Sequence, residues 1–389
     1  VRQTIALLVD AYRELNHRKL FWITLALSGL VVLAFAAIGN DEEGLTFLHW
    51  SIPFPFVSTS FIPRADFYKY VFANLGVGFW LSWIATIIAL ISTASILPDF
   101  VDRGSIDLML SKPIGRTRLF LTKFATGLLF AAMQVTVFTI ASFLVIGVRG
   151  GDWEPWLFVA IPLVVVFYSY LFAVQAVVGM MTRSVIASVI AVMLFWLVLF
   201  LVQSGDGVTL AWRVTQEIIV ERKEARIVKL EERAFEAEEI RIEMRAAADL
   251  GDPDAQERIE DATNESDLAA ARLITVRQEL VDDQEVLDKA VFVNGWLHTL
   301  NTVLPKTAET IDILERLLRE HAGLVIPGPN EEDDTRRQFG EMVGGREFEE
   351  RMTAALDESH SFTWVLGTSL AFEGLVLAIG AFWFARRDF

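Results

Sequence analysis

Few side chains in this 389-residue sequence are spaced to do chemistry, and those that stand out are charges beside or inside long apolar runs. The five histidines, His17, His49, His298, His321 and His360, are scattered and share no metal-ligand spacing. There is no cysteine, so disulfides, thiolate metal sites and cysteine nucleophiles are excluded. No G-x-x-x-x-G-K-[ST], H-E-x-x-H or G-x-S-x-G occurs. No catalytic, cofactor-binding or metal-binding residue is therefore assigned, and the chain is not expected to be an enzyme on its own. Two places remain: Glu373 within an apolar run, and the polar segment Pro98–Lys123 between two such runs.

An ionisable group at membrane depth is costly, and such groups usually face a bundle interior or a water-filled path. Glu373 has two readings. It is a handle on a translocation path, or a carboxyl that serves helix packing, with Gln134 or Gln175 as partners. The segment Pro98–Lys123 carries five basic residues, Arg103, Lys112, Arg116, Arg118 and Lys123. Within it Asp102–Leu110 has helical spacing, and Pro113 stops the helix. A short amphipathic helix at 98–112, tethered closely on both sides, is the geometry that lets a membrane protein feel a soluble partner.

These charges are positioned by apolar segments. The chain is 53% hydrophobic with 29 Phe and 11 Trp, which fits lipid contact and interfacial belts. A span needs about 20 mostly apolar residues. Six stretches qualify: Leu20–Ile38, Ala73–Leu97, Phe124–Gly147, Trp156–Met180, Val185–Val202 and Phe362–Phe384. The first is read as an anchor that stays. With the N-terminus inside, the cytoplasmic pieces hold twelve Lys/Arg and the short outer loops three, Arg64, Lys69 and Arg149. The reading is an all-α membrane protein of six transmembrane helices. Both termini are cytoplasmic, and a large helical insertion, a coiled-coil hairpin, lies outside the cytoplasm between helices 5 and 6. The expected location is the cytoplasmic (inner or plasma) membrane, multi-pass, in contact with lipid.

Four regions follow. Residues 1–19 form a cytoplasmic amphipathic helix. Residues 20–203 carry spans 1–5. Residues 204–361 form an acidic outer domain with 37 acidic and 19 basic side chains, which excludes nucleic acid as a partner. Residues 362–389 carry span 6 and a tail. Within the outer domain, 213–291 reads as an antiparallel helical hairpin split by Gly251-Asp252-Pro253-Asp254. Its second arm has a stripe of Leu273, Val276, Leu280 and Leu287, its first Ile218, Ala225, Val228 and Phe235. A solvated spacer and an arm that binds an outer protein partner both fit this pattern. Phe292–Leu304 reads as a separate membrane-skimming helix, Ala308–His321 as a helix, 324–345 as a Pro/Gly/acidic loop, and Phe348–Leu356 leads to the last span. Gly127/Ala131 and Gly367/Ala371 are small-xxx-small pairs that fit close helix packing.

Three stretches together resemble the membrane subunits of ABC-2 type ATP-binding cassette exporters. The first is Tyr12-Arg13-Glu14-Leu15 with Arg18-Lys19 before span 1, similar to that family's cytoplasmic connecting helix. The second runs from Arg103-Gly104-Ser105 through the apolar residues to Leu110-Ser111-Lys112-Pro113-Ile114-Gly115-Arg116, with Lys123 opening the next span. The third is Ala385-Arg386-Arg387-Asp388-Phe389. Four residues before Gly104, where the family often has Glu, stands Phe100. The resemblance covers 1–203 and 362–389, with weaker agreement around Asn301–Pro305, and leaves the hairpin 208–291 as an addition.

The resemblance implies a permease subunit that pairs with a second permease copy. It implies a separate ATPase subunit that binds ATP and docks on Asp99, Asp102, Arg103, Gly104, Asp107, Lys112, Pro113 and Arg116, with Arg13 and Glu14 in the connecting helix. Hydrolysis in the partner would drive export across the cytoplasmic membrane. The alternative is a non-transporting membrane sensor or envelope assembly protein that presents the hairpin. Between them lies an ABC-like complex that does mechanical work on the envelope.

Overall fold

The computed structural model describes residues 19–48, 50–53, 57–60, 62–102, 115–249, 254–324, 345–359 and 361–386. Among them the chain is overwhelmingly helical, and six helices are long and apolar enough to cross a membrane. It divides into two compact units. One holds Val1–Gln203, Asn301–Asp333 and His360–Phe389, the other Ser204–Leu300 and Asp334–Ser359.

In the first unit, α1 (Lys19–Ala37) is apolar all round, with exposed Trp22, Leu30 and Leu33 opposite buried Phe21, Val32 and Phe35. Such a helix needs an apolar solvent on its open side. It runs into a small antiparallel sheet of β1 (Ile38–Asn40), β2 (Gly44–Phe47) and β3 (Trp50–Pro53), ordered β1-β2-β3, with Gly39 opposite Thr46 and Leu45 opposite Ile52. Asp41 makes the first turn, its Oδ1 accepting from the Glu43 and Gly44 amides at 2.9 and 3.0 Å. The sequence reading contained no strands. Three or four residues per strand are too few for an alternation to register.

The next helical run, α2, opens with Arg64–Val71 and widens to π geometry over Phe72–Ala85. It returns to α over Thr86–Thr93, and after a turn it ends with Ile96–Asp102. In the wide stretch and at its end, the hydroxyls of Ser82 and Thr86 donate five residues back, to the Val77 and Leu81 carbonyls. Helix α3 (Arg116–Val145) closes with a wide turn, Ile146–Gly150, and stops at Gly151, whose φ of +76° is the left-handed conformation glycine adopts without strain. A short 3-10 turn, Pro155–Val159, leads into α4 (Ala160–Thr182). Ser184 caps the following helix by accepting from Ala187 N at 3.3 Å. This is the tight hairpin expected between the fourth and fifth spans.

Small residues decide how closely these helices approach. A Cβ on Gly127 would sit 2.2 Å from the Phe172 ring, so α3 and α4 meet where glycine removes the side chain. Gly367 meets nothing within 4 Å, so its pair does not mark a contact; Gly380 does, against Val177 and Phe120. Polar side chains bind the bundle across helices. Trp80 Nε1 donates to Ser28 Oγ, Gln134 to the Phe21 carbonyl, Gln175 to the Leu90 carbonyl, and Thr93 pairs with the Tyr168 hydroxyl. Buried polar groups without such partners would each cost about 1–3 kcal/mol.

Helix α5 (Val185–Asp249) is 65 residues long, about 97 Å at 1.5 Å per residue. The apolar run and the charged arm, expected as separate pieces, are one helix, uninterrupted by Gly205 and Gly207. Helix α6 (Ala255–Val303) returns over 49 residues. It includes Phe292–Val303, which is therefore not a separate skimming helix. The two lie antiparallel in the second unit. Arg277 pairs with Glu231, Lys223 with Glu279 and Asp283, and Asp206 accepts from Asn294.

The seam of α6 follows two heptad rows, Ala262, Ala269, Val276, Asp283, Ala290 and Leu273, Leu280, Leu287. Leu273, Val276, Leu280 and Leu287 are thus among the residues of α6 that are buried or half-buried. The first-arm stripe is not buried throughout. The seam of α5 is Val220, Ile227, Ala234 with Lys223, Leu230, Ala237, whereas Val228 and Phe235 are exposed. The last described pieces are α7 (Thr307–His321), α8 (Gly345–Ser359) and α9 (Phe362–Arg386).

Candidate functional site

The two places singled out by sequence fall at different levels of the first unit. At one end, the close of α2 is locked between α3, α4 and α9. Phe100 is buried, its ring 6.2 Å from that of Phe384, with Lys123 Nζ 5.6 Å from the Phe100 ring centre. Pro98 lies against Gly179, where an added Cβ would stand 3.1 Å from the proline ring. Arg116 opens α3 and donates to the Ala385 carbonyl at 3.3 Å, a cation set at the C-terminal end of a helix. The Asp99 amide donates to Ser95 O at 3.0 Å, and Asp102 closes the α2 run. Arg103, Gly104, Asp107, Lys112 and Pro113, like Arg13 and Glu14, lie outside the described residues.

The helix ends that bracket the predicted coupling segment thus meet the C-terminal end of α9. The position where an acid was sought, residue 100, faces the core. An acidic side chain there would be buried against the Phe384 ring, so Phe is the residue this packing accepts.

At the other place, Glu373 on α9 is buried and accepts from Ser169 Oγ of α4 at 2.7 Å. Its partner is neither Gln134 nor Gln175, which donate to backbone carbonyls of α1 and α2. Tyr170, the next residue on α4, is buried beside Thr310, Ser369 and Glu373. Ser369 stands one helical turn before Glu373 and accepts from the Lys306 amide at 2.9 Å. A polar line therefore joins α9 and α4 to the elbow between α6 and α7.

The elbow itself is built on Lys306, which the sequence reading passed over. Its side chain is fully buried. The ammonium donates to Thr302 O at 2.7 Å, Leu304 O at 2.9 Å and Thr368 Oγ1 at 2.6 Å, and lies 4.4 Å from the Trp364 ring centre. Three acceptors and an aromatic face satisfy a cation removed from water. Burial pushes Lys306 down to about 8, with the Glu309 carboxylate opposing. Gln203 clamps the same turn, donating to Pro305 O at 2.9 Å and accepting from Thr307 Oγ1 at 2.9 Å. The available signal was a lone lysine after a proline at the junction of two amphipathic segments.

Near this end of the bundle, α7 buries Ile311, Ile313, Leu314 and Leu318. Its last turn sets His321 against Trp156, ring centres 4.3 Å apart. Lys69 of α2 is buried there too. It pairs with Asp152 at 2.6 Å and Asp66 at 3.7 Å, and donates to Ala322 O at 3.1 Å. The small sheet is tied in by Tyr68, which donates to Ile38 O at 2.7 Å.

Chemically, these groups can hold, orient and exchange protons. Among the described residues no group of three or more His, Cys, Asp and Glu could hold a metal ion. Residues 29–205 match the model of a protein family of unknown function, DUF2705. No curated protein and no solved structure matches the chain significantly.

Proposed function

We propose that this chain is the permease subunit of an ABC-2 type transporter, in which a separate ATPase docks at 98–116 and drives export. The observation that carries this reading is the convergence of Phe100, Lys123, Arg116 and Phe384. The two helix ends that flank the amphipathic segment are both fixed to the end of α9. Force applied to that segment passes into three spans at once rather than dissipating in a loose loop. The motif Arg103–Arg116 and the Lys/Arg distribution support the same arrangement, with that face cytoplasmic and the hairpin 213–291, a coiled coil, outside the cell membrane. ATP is bound by the partner subunit, and a second permease copy completes the translocation path. Glu373, held by Ser169, is a candidate for that path or for its packing.

A second reading keeps the ATPase partner but replaces cargo with mechanical work on the envelope. The observation that favours it is α5, a single helix of 65 residues that joins the fifth apolar segment to the charged arm.

The test is purification of the chain from its native membrane in mild detergent, with mass spectrometry of what remains bound. A stoichiometric Walker-motif ATPase, and ATP hydrolysis in the complex, are expected. Both are lost on Asp102→Lys or Gly104→Trp. A preparation without any ATPase overturns the reading. A hydrolysing complex that moves no cargo in proteoliposomes selects the mechanical alternative.

A further inference from the structure

The hairpin has a second apolar face that its own two helices leave uncovered. In α5 the residues Val228, Phe235 and Ile242 are exposed and seven apart, so they form one straight row just outside the seam. Phe235 is 71% exposed, an unusual value for a phenylalanine in a charged helix. Across the hairpin, Ile274 and Val281 form a matching row on α6, and Ile274 is 70% exposed. The Glu231–Arg277 pair shows which sides of the two helices meet. Both rows lie one position further round on that side, so they flank a single face. From Val228 to Ile242 this face is about 21 Å long.

The same row is already an interface at its other end. Residues 214 and 221 continue it by sevens. Val214 and neighbouring Ile218 are buried, and Arg351 of α8 pairs with Glu221 while Glu347 pairs with Arg222 at 2.8 Å. A helix laid along this row is therefore a packing that the fold uses.

Charge identifies the chemistry of an occupant. Glu224, Glu232 and Glu239 border the uncovered part of the row, beside Glu231 and Glu238, which pair with Arg277 and Arg241. The hairpin between residues 213 and 291 holds 22 acidic and 12 basic residues, so a second copy of the same face would meet like charge. We propose that the Val228–Phe235–Ile242 face docks an amphipathic helix of a partner protein whose apolar stripe is bordered by Lys or Arg. The partner helix buries its stripe against Phe235 and Ile274 and sets its cations against the glutamate border.

The test uses the full chain in zwitterionic nanodiscs and two synthetic 21-residue helical peptides. Both have a leucine heptad stripe, one bordered by lysines and the other by glutamates, and binding is read by fluorescence anisotropy. The lysine peptide is expected to bind at least tenfold more tightly than its twin. The difference should shrink at high salt. Phe235→Ser with Ile242→Ser, both surface changes, should lower affinity at least tenfold without altering the melting profile. Equal binding of the two peptides, or unchanged binding by the double variant, overturns the proposal. So does a gain in affinity on Arg336→Glu with Arg337→Glu, which would mean the chain's own 336–343 segment takes the face. Loss of an oligomer on Phe235→Ser would assign the face to a second copy and overturn it equally.

Discussion

Glu373 accepts a 2.7 Å hydrogen bond from Ser169, and this bond joins the last apolar helix to the fourth. The two possible roles of the carboxyl separate on this pair. Glu373→Gln keeps an acceptor for the serine and should preserve expression and thermal stability while changing transport. Ser169→Ala leaves the acid without that donor and should cost about 1–3 kcal/mol of stability. The measurements are the melting temperature in detergent and cargo flux in proteoliposomes. Equal losses of stability and flux in Glu373→Gln would assign the group to packing alone.

A second prediction concerns close helix approach. Gly127→Ala places a methyl group 2.2 Å from the Phe172 ring. The α3–α4 contact must open, at a cost of about 1–3 kcal/mol. Gly367→Ala, by contrast, meets open space and should be neutral or slightly stabilising, because alanine favours the helix by about 1 kcal/mol over glycine. Chemical unfolding in detergent compares the two, and equal behaviour would contradict the packing.

This pair also shows what was legible in the sequence. The small-xxx-small pattern is identical at Gly127 and Gly367, and the facing helix, which only the fold supplies, makes one of them a contact. The six apolar segments were readable because a span needs a long run of uniform chemistry. The phase of α5 was not. The expected stripe of Ile218, Ala225, Val228 and Phe235 is more apolar than the seam, which contains Lys223, Ala234 and Ala237. Hydrophobicity therefore pointed at the wrong face, since Lys223 is placed by Asp283 at 2.6 Å on the other helix. Glu373 was visible as a charge out of place, but its partner Ser169 was one of many serines. Lys306 was invisible because its acceptors are mostly backbone carbonyls, which no side-chain pattern announces.

At the coupling end, Phe100→Ala should destabilise the bundle by about 3 kcal/mol, since a buried phenylalanine is removed from beside Phe384. Charge reversal at Arg103 and Lys112 should act differently. It should lower the partner-stimulated ATPase rate while leaving the melting temperature of the isolated chain unchanged. Steady-state hydrolysis by the purified complex is the readout. A stimulated rate that survives both reversals would remove these residues from the coupling role.

The elbow should respond to pH with a sign fixed by Lys306. Its folded value near 8 lies below the ordinary lysine value of 10.5. Between these limits the unfolded chain binds more protons than the folded one, so stability rises with pH across that window. Below pH 8 both states carry the charge and the contribution is flat. The rise is up to about 3 kcal/mol for a shift of this size. The Thr302 and Leu304 carbonyls oppose it by favouring the ammonium. Lys306→Met, which keeps the length and removes the charge, should abolish the slope. The check is the unfolding midpoint in detergent from pH 7 to 10.5, in the parent chain and the variant. A slope that falls with pH, or that persists in Lys306→Met, would show that another group governs this end of the bundle.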